Sequence, residues 1–169
     1  MSQDKPGTIE RFRRSLEGAA SYAEVWETVR GSVEYAMHRH RTGMMLFLDD
    51  LPIQLGAYHP LGTNNIVLNR VLVQIVEGAI ENKAVINALV YNLLVHEYIH
   101  ALGEVSEANV RQTVIDVTKK CFGEDHIVTQ IALKSPWSLL KGIPLVGVNP
   151  QKRVMEIVKD FEKAGRYVV

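Results

Sequence analysis

Apolar residues recur at helical spacing along most of this chain and form strand-like runs in only a few short places. Ile9, Phe12 and Leu16 predict a short first helix capped by Thr8 and ended by Gly18. Ser21 and Glu24 read as a capping box. The helix they open carries Tyr22, Val25, Trp26, Val29, Val33, Ala36 and Met37 on one face and runs to near Thr42 and Gly43. Its last turn holds His38 and His40, where the helix dipole favours positive charge. Residues 44–48 are a short apolar run that reads as a strand, and Pro52 confines the residues after it to an edge or irregular position. A turn-rich stretch over residues 55–64 precedes a strand at 65–69, where Ile66 and Leu68 alternate with polar or smaller neighbours. Two or three strands therefore come before the next helix, built on Val71, Leu72, Ile75, Val76, Ala79 and Ile80.

The segment after Asn82 is apolar on every side. Ile86, Leu89 and Leu93 share a stripe with His96 and His100, while Val85, Val90, Leu94 and Ile99 cover the remaining faces, which predicts a central, largely buried helix. Asn87 and Asn92 interrupt it, and it is too short to span a bilayer. Gly103 is a natural left-handed terminator. Ser106 caps a further helix whose stripe is Glu107, Val110, Val114, Val117 and Cys121. A break at 122–126 precedes a short helix over 127–133 opened by Asp125, and residues 135–148 read as a packed irregular segment. Asn149 and Pro150 predict a last amphipathic helix through Val154, Ile157, Val158 and Phe161, closed by Gly165. The whole is an α+β fold, mostly helical, with a small mixed sheet preceding the central helix, in one domain over residues 1–169.

The central helix ends on His96-Glu97-Tyr98-Ile99-His100. Histidines four apart lie on one helical face and can chelate a single zinc ion. Glu97 is rotated away from His96, so it can reach a water on the metal rather than the metal itself, the division of labour that metal-assisted hydrolysis requires. Hydrogen-bonded core histidines are the plain alternative, but two imidazoles and a carboxylate on a buried helix are costly unless paired or bound to metal.

A catalytic zinc needs a third protein ligand and an open position. The candidates are Glu107, His126, Glu104 and Asp116. Glu107 has the best geometric case: it follows the glycine turn closely and shares the inward face of its helix with Val110, Val114 and Val117. Its plain alternative is an acidic first-turn residue complementing the dipole and pairing with Arg111 one turn on. His126 is either an alternative ligand or a donor to the oxyanion that forms as water adds to a carbonyl, with Tyr58 and His59 as rivals for the second role.

Lys plus Arg equals Asp plus Glu, at 19 each, which leaves no electrostatic footprint for nucleic acid or an anionic membrane. No apolar leader with a small-residue cleavage site opens the chain, and the lone Cys121 cannot form an internal disulfide, so a cytoplasmic setting is expected. Cys121 reads as a buried structural thiol rather than a fourth zinc ligand.

Over residues 96–103, His-Glu-Tyr-Ile-His-Ala-Leu-Gly, the chain resembles the zincin metallopeptidases. Gly56-Ala-Tyr-His-Pro followed by Asn65-Ile-Val-Leu-Asn69 is similar to the small sheet whose edge strand lines the zincin substrate cleft. Ser106-Glu-Ala-Asn109 resembles the Glu-Ala-Asn or Glu-Ala-Asp helix of compact, cytosolic gluzincin-like peptidases. Glu107 comes only seven residues after His100, whereas gluzincins usually place that glutamate later, and Ser106 stands where metzincins have a third histidine. The resemblance implies a zinc metallopeptidase acting on a peptide or protein substrate, with His96, His100 and Glu107 on the metal and Glu97 as general base. The alternatives are a zincin-derived regulatory or interaction domain without peptidase activity, and a purely structural zinc site.

Overall fold

The computed structural model describes residues 6–145 and 152–162. The described residues form six α-helices and a small mixed sheet: α1 (Thr8–Glu17), α2 (Tyr22–Met37), α3 (Arg70–Ala79), α4 (Lys83–Ala101), α5 (Glu107–Phe122) and α6 (Ile127–Lys134), with a 3₁₀ turn at Pro136–Leu140. The strands are β1 (Met45–Asp49), β2 (Ala57–Tyr58), β3 (Asn65–Asn69) and β4 (Glu156–Ile157), in the order β2-β3-β1-β4. β1 and β3 run parallel, Leu46 opposite Ile66 and Leu48 opposite Leu68, while β2 and β4 pair antiparallel on the two edges. The α+β class and the sheet ahead of the motif helix are as the sequence pattern indicates.

The central helix α4 packs against each of the other α-helices and against β2 and β3. The polar residues that interrupt its apolar run act as fasteners. Asn87 donates to Leu16 O and Ala19 O at 2.9 and 2.8 Å, tying α4 to the end of α1, and Asn92 donates to Val128 O at 3.0 Å, tying it to α6. Buried side-chain amides whose N–H groups reach backbone carbonyls of neighbouring elements keep their own donors satisfied. No helix among the described residues is long and apolar enough to cross a membrane.

Several elements differ from their sequence-based expectation. Thr8 is not a cap but a buried first-turn residue; Gly7, with φ 82°, takes the cap position. The Ser21 hydroxyl accepts from Glu24 N at 3.2 Å, but the Glu24 carboxylate reaches back to Ala20 N instead of Ser21 N. α2 ends at Met37, well short of Thr42, with His38 in the left-handed region. The basic run beyond it is drawn off the helix axis because Arg39 donates to Leu102 O and Arg41 to Ala101 O, the terminal carbonyls of α4. A helix C-terminus is a favourable place for a cation, and here the cations come from another element. Within the segment expected to stay irregular, residues 136–140 make a 3₁₀ turn.

The expected last helix is absent from the described part of its range. Residues 156–157 join β1 as β4, and Val158 N donates to Leu46 O at 2.9 Å. Its helically spaced apolar residues do not form one buried stripe: Val154 is 87% exposed, whereas Phe161 is buried and stacked on Trp26 at 4.8 Å. An unpaired β1 edge satisfies the backbone of this segment better than an isolated turn of helix would. The expected cap at Asn149-Pro150 and stop at Gly165 lie outside the described residues.

Candidate metal centre

α4 ends in a Schellman motif. Gly103 adopts φ 111°, its N–H bonds to His100 O at 2.9 Å, and Glu104 N bonds to Ile99 O at 3.3 Å. The turn lets Ser106 cap α5 by accepting from Asn109 N at 3.3 Å, so that Glu107 opens α5 directly opposite the last two turns of α4.

One carboxylate there meets both imidazoles. Glu107 Oε2 lies 2.9 Å from His96 Nε2 and Oε1 lies 2.7 Å from His100 Nε2. One ligand atom from each of the three residues falls within 4.8 Å of the other two, and this group could hold a metal ion. Two imidazole nitrogens and a carboxylate oxygen are a donor set that suits a first-row divalent cation. The tautomer fits as well. His100 Nδ1 lies 2.7 Å from Glu104 O, a carbonyl that only accepts, so Nδ1 carries a proton and Nε2 is the nitrogen left to take a metal.

Glu107 differs from its expected inward position. Its side chain is 70% exposed, at the mouth of the site, because the imidazoles and not a buried pocket hold it. Nor does it pair with Arg111. Burial pushes the Glu107 carboxyl up, but the two imidazoles together outweigh this and hold it below the usual carboxylate range. Burial pushes His96 down, with Glu107 opposing and the charges of His100 and Arg111 adding to the fall. A neutral imidazole beside an ionised carboxylate is the state in which both bind metal.

Glu97 is 8% exposed and makes no hydrogen bond or ion pair among the described residues. Burial, with the nearby Glu107 carboxylate adding to it, pushes its carboxyl up to about 8. A buried carboxyl without a partner is costly in a structural role and recurs where proton transfer is needed.

His96, Glu97 and Glu107 lie on the wall of a cleft of about 320 Å³. Its lining also includes residues 54–57, the end of the loop into the edge strand β2, together with Asn92 and Leu93 of α4, Val114 of α5, Ala132 of α6, and Pro136 and Trp137 of the 3₁₀ turn. The cleft thus borders the edge strand β2, through Ala57, and none of its lining residues lies on β3. Gly56 permits the close approach: a Cβ there would stand 2.6 Å from Leu93 Cδ2.

The other candidates are not part of this group. His126 caps α6, accepting from Val128 N at 3.1 Å, and its Nε2 meets Glu17 Oε1 at 2.9 Å. It is neither a ligand nor within the cleft, because α5 carries the chain away from the site before it turns back. Glu104 serves through its backbone carbonyl, while its carboxylate accepts from Ser106 N at 3.1 Å. Asp116 accepts from Gln112 one turn back on α5. His59 is bonded to Asn65 O at 2.8 Å, and Tyr58 lies on β2 outside the cleft lining. Cys121 is buried, its thiol 3.5 Å from Ser32 O. Sequence reasoning missed Gln54, Trp137 and Asn92 as lining residues; their proximity arises from chain crossings that no local pattern encodes. No protein-family model matches this chain, and no curated protein or solved structure matches it.

Proposed function

We propose that the protein is a zinc-dependent hydrolase of peptide bonds, of the zincin type, with His96, His100 and Glu107 as ligands and Glu97 as general base. The observation that carries this reading is the convergence of three donor atoms within 4.8 Å on the wall of a cleft that also holds a buried, unpartnered carboxyl. Three protein donors at a solvent-reachable wall favour a catalytic over a structural site, which would be closed by four.

Zinc, when bound, supplies a Lewis acid that polarises a carbonyl and lowers the pKa of water toward neutrality. Its charge also favours the ionised form of Glu97. Glu97 takes the proton from the attacking water as its oxygen adds to the carbonyl carbon, then delivers that proton to the departing amine as the C–N bond breaks. Glu104 O keeps His100 in the ligating tautomer through each turnover. The β2 edge offers backbone groups to an extended peptide, and Leu55 and Trp137, both partly exposed, supply an apolar wall.

The protein prepared without chelator is expected to hold about one zinc per chain by elemental analysis, and His96→Ala with His100→Ala to lose it. Glu97→Gln should keep the zinc and the fold while peptide hydrolysis falls by about a hundred-fold to ten-thousand-fold. Equal, low cleavage by wild type and Glu97→Gln, both zinc-replete, rejects the hydrolase and favours a regulatory zinc-binding domain.

A further inference from the structure

Arg111 stands one turn beyond Glu107 on the same face of α5 and lines the same cleft. A glutamate and an arginine at this spacing ordinarily pair. Here both oxygens of Glu107 are turned to the histidines, and Arg111 has no hydrogen bond or ion pair among the described residues. It is also the one Lys or Arg among the described residues that line the cleft. Two of the neighbouring polar groups are committed elsewhere: the Asn92 amide donates to Ala88 O and Val128 O, and the Ser135 hydroxyl accepts from Trp137 N. Arg111 is exposed at the cleft, and its guanidinium is a fork of donors left unpaired by the described residues.

We propose that Arg111 is the specificity determinant of this cleft and recognises a carboxylate on a bound peptide, from either an acidic side chain or the chain terminus. The proposal deepens the peptidase reading and rests on it for the identity of the ligand. A planar guanidinium matches a carboxylate with two parallel hydrogen bonds, and carboxylates are the anions that unmodified peptides carry. A bound dication would add to the same positive potential, so an anionic group beside the metal is favoured over a cationic one.

The test reads binding, so that its outcome is separate from the hydrolysis assay. Zinc-loaded Glu97→Gln protein is titrated calorimetrically with apolar hexapeptides in three forms: C-terminally amidated, with a free C-terminus, and amidated with one internal Glu. One carboxylate-bearing form is expected to bind about ten-fold more tightly than the neutral form. The form that gains identifies the source of the carboxylate. Adding Arg111→Gln should erase the preference, and Arg111→Glu should transfer it to a peptide carrying Lys. Arg111→Lys keeps the charge without the fork and should retain only part of it. An unchanged carboxylate preference in Arg111→Gln, the absence of any preference in the parent, or no binding of any form overturns the proposal. Cleavage of the same peptides by the protein with Glu97 intact reports separately on the hydrolase reading.

Discussion

Glu107 and Glu104 are three residues apart and serve the same pair of histidines by different means. Glu107 offers its carboxylate to both Nε2 atoms, whereas Glu104 offers only its backbone carbonyl to His100 Nδ1. Substitution should separate them. Glu107→Ala is expected to weaken zinc binding at least a hundred-fold in competition with a chromophoric chelator, since a lost ligand costs more than a lost outer partner. Glu104→Ala keeps the carbonyl and should change affinity by less than about ten-fold. If Glu107→Ala binds zinc as wild type does, Glu107 is not a ligand. His96, Glu97 and His100 were legible in the sequence because their geometry is set by one helix. Glu107 was legible because a single glycine turn separates it from that helix. His126 was not, because its position depends on where α5 ends, and α5 carries it off to Glu17.

Between elements, the cleft is shaped by a side chain that no motif singled out. Asn69 ends β3, caps α3 through Oδ1 to Val71 N at 3.1 Å, and donates through Nδ2 to Leu51 O, Pro52 O and Leu55 O at 3.1, 3.1 and 2.8 Å. It holds the loop that becomes the β2 side of the cleft, and it is fully buried. Asn69→Asp replaces the donor with an acceptor facing three carbonyl oxygens. We expect a loss of about 3 kcal/mol, from lost hydrogen bonds and a buried charge, read by urea unfolding at neutral pH. Wild-type stability in Asn69→Asp would mean that the loop does not depend on this hub. The helical pattern located α1 to α6 because apolar stripes report a helix wherever it packs. It overran the end of α2, since the cue that stops it is the pull of α4's terminal carbonyls on Arg39 and Arg41, two residues whose partners lie some sixty positions away.

At the scale of the molecule, residues 152–162 tie the β1 edge of the sheet to α2, and Trp26 of α2 carries the contact on to α4. Arg153 and Arg70 hold Asp50, whose side chain is only 4% exposed, with nitrogens at 2.9 to 3.0 Å. Phe161 stacks on Trp26, whose ring meets Tyr98 of α4 edge-on at 4.9 Å. Hydrogen bonds from Arg153, against the opposing effect of burial, and then from Arg70 hold the Asp50 carboxyl well below the usual carboxylate range. A depressed folded pKa means stability that is fully present above the unfolded value, about 4, and is lost as pH falls below it. Asp50→Asn should therefore cost about 2–4 kcal/mol at pH 7. The deficit should shrink as both proteins are titrated from about pH 5 to pH 2, as followed by thermal melts. A deficit independent of pH would place its origin in packing rather than charge. The sequence by itself determined what short range controls: the places of α1 to α6, the α+β class, the left-handed turn at Gly103 and the spacing of His96, Glu97 and His100. Tertiary structure alone decided the partners of Arg39, Asp50 and Asn69, the capture of residues 156–157 by the β1 edge, and which residues share the cleft with Glu97. These last depend on contacts between residues far apart in the chain, whose closure is set by the whole core, so no local window of sequence contains them.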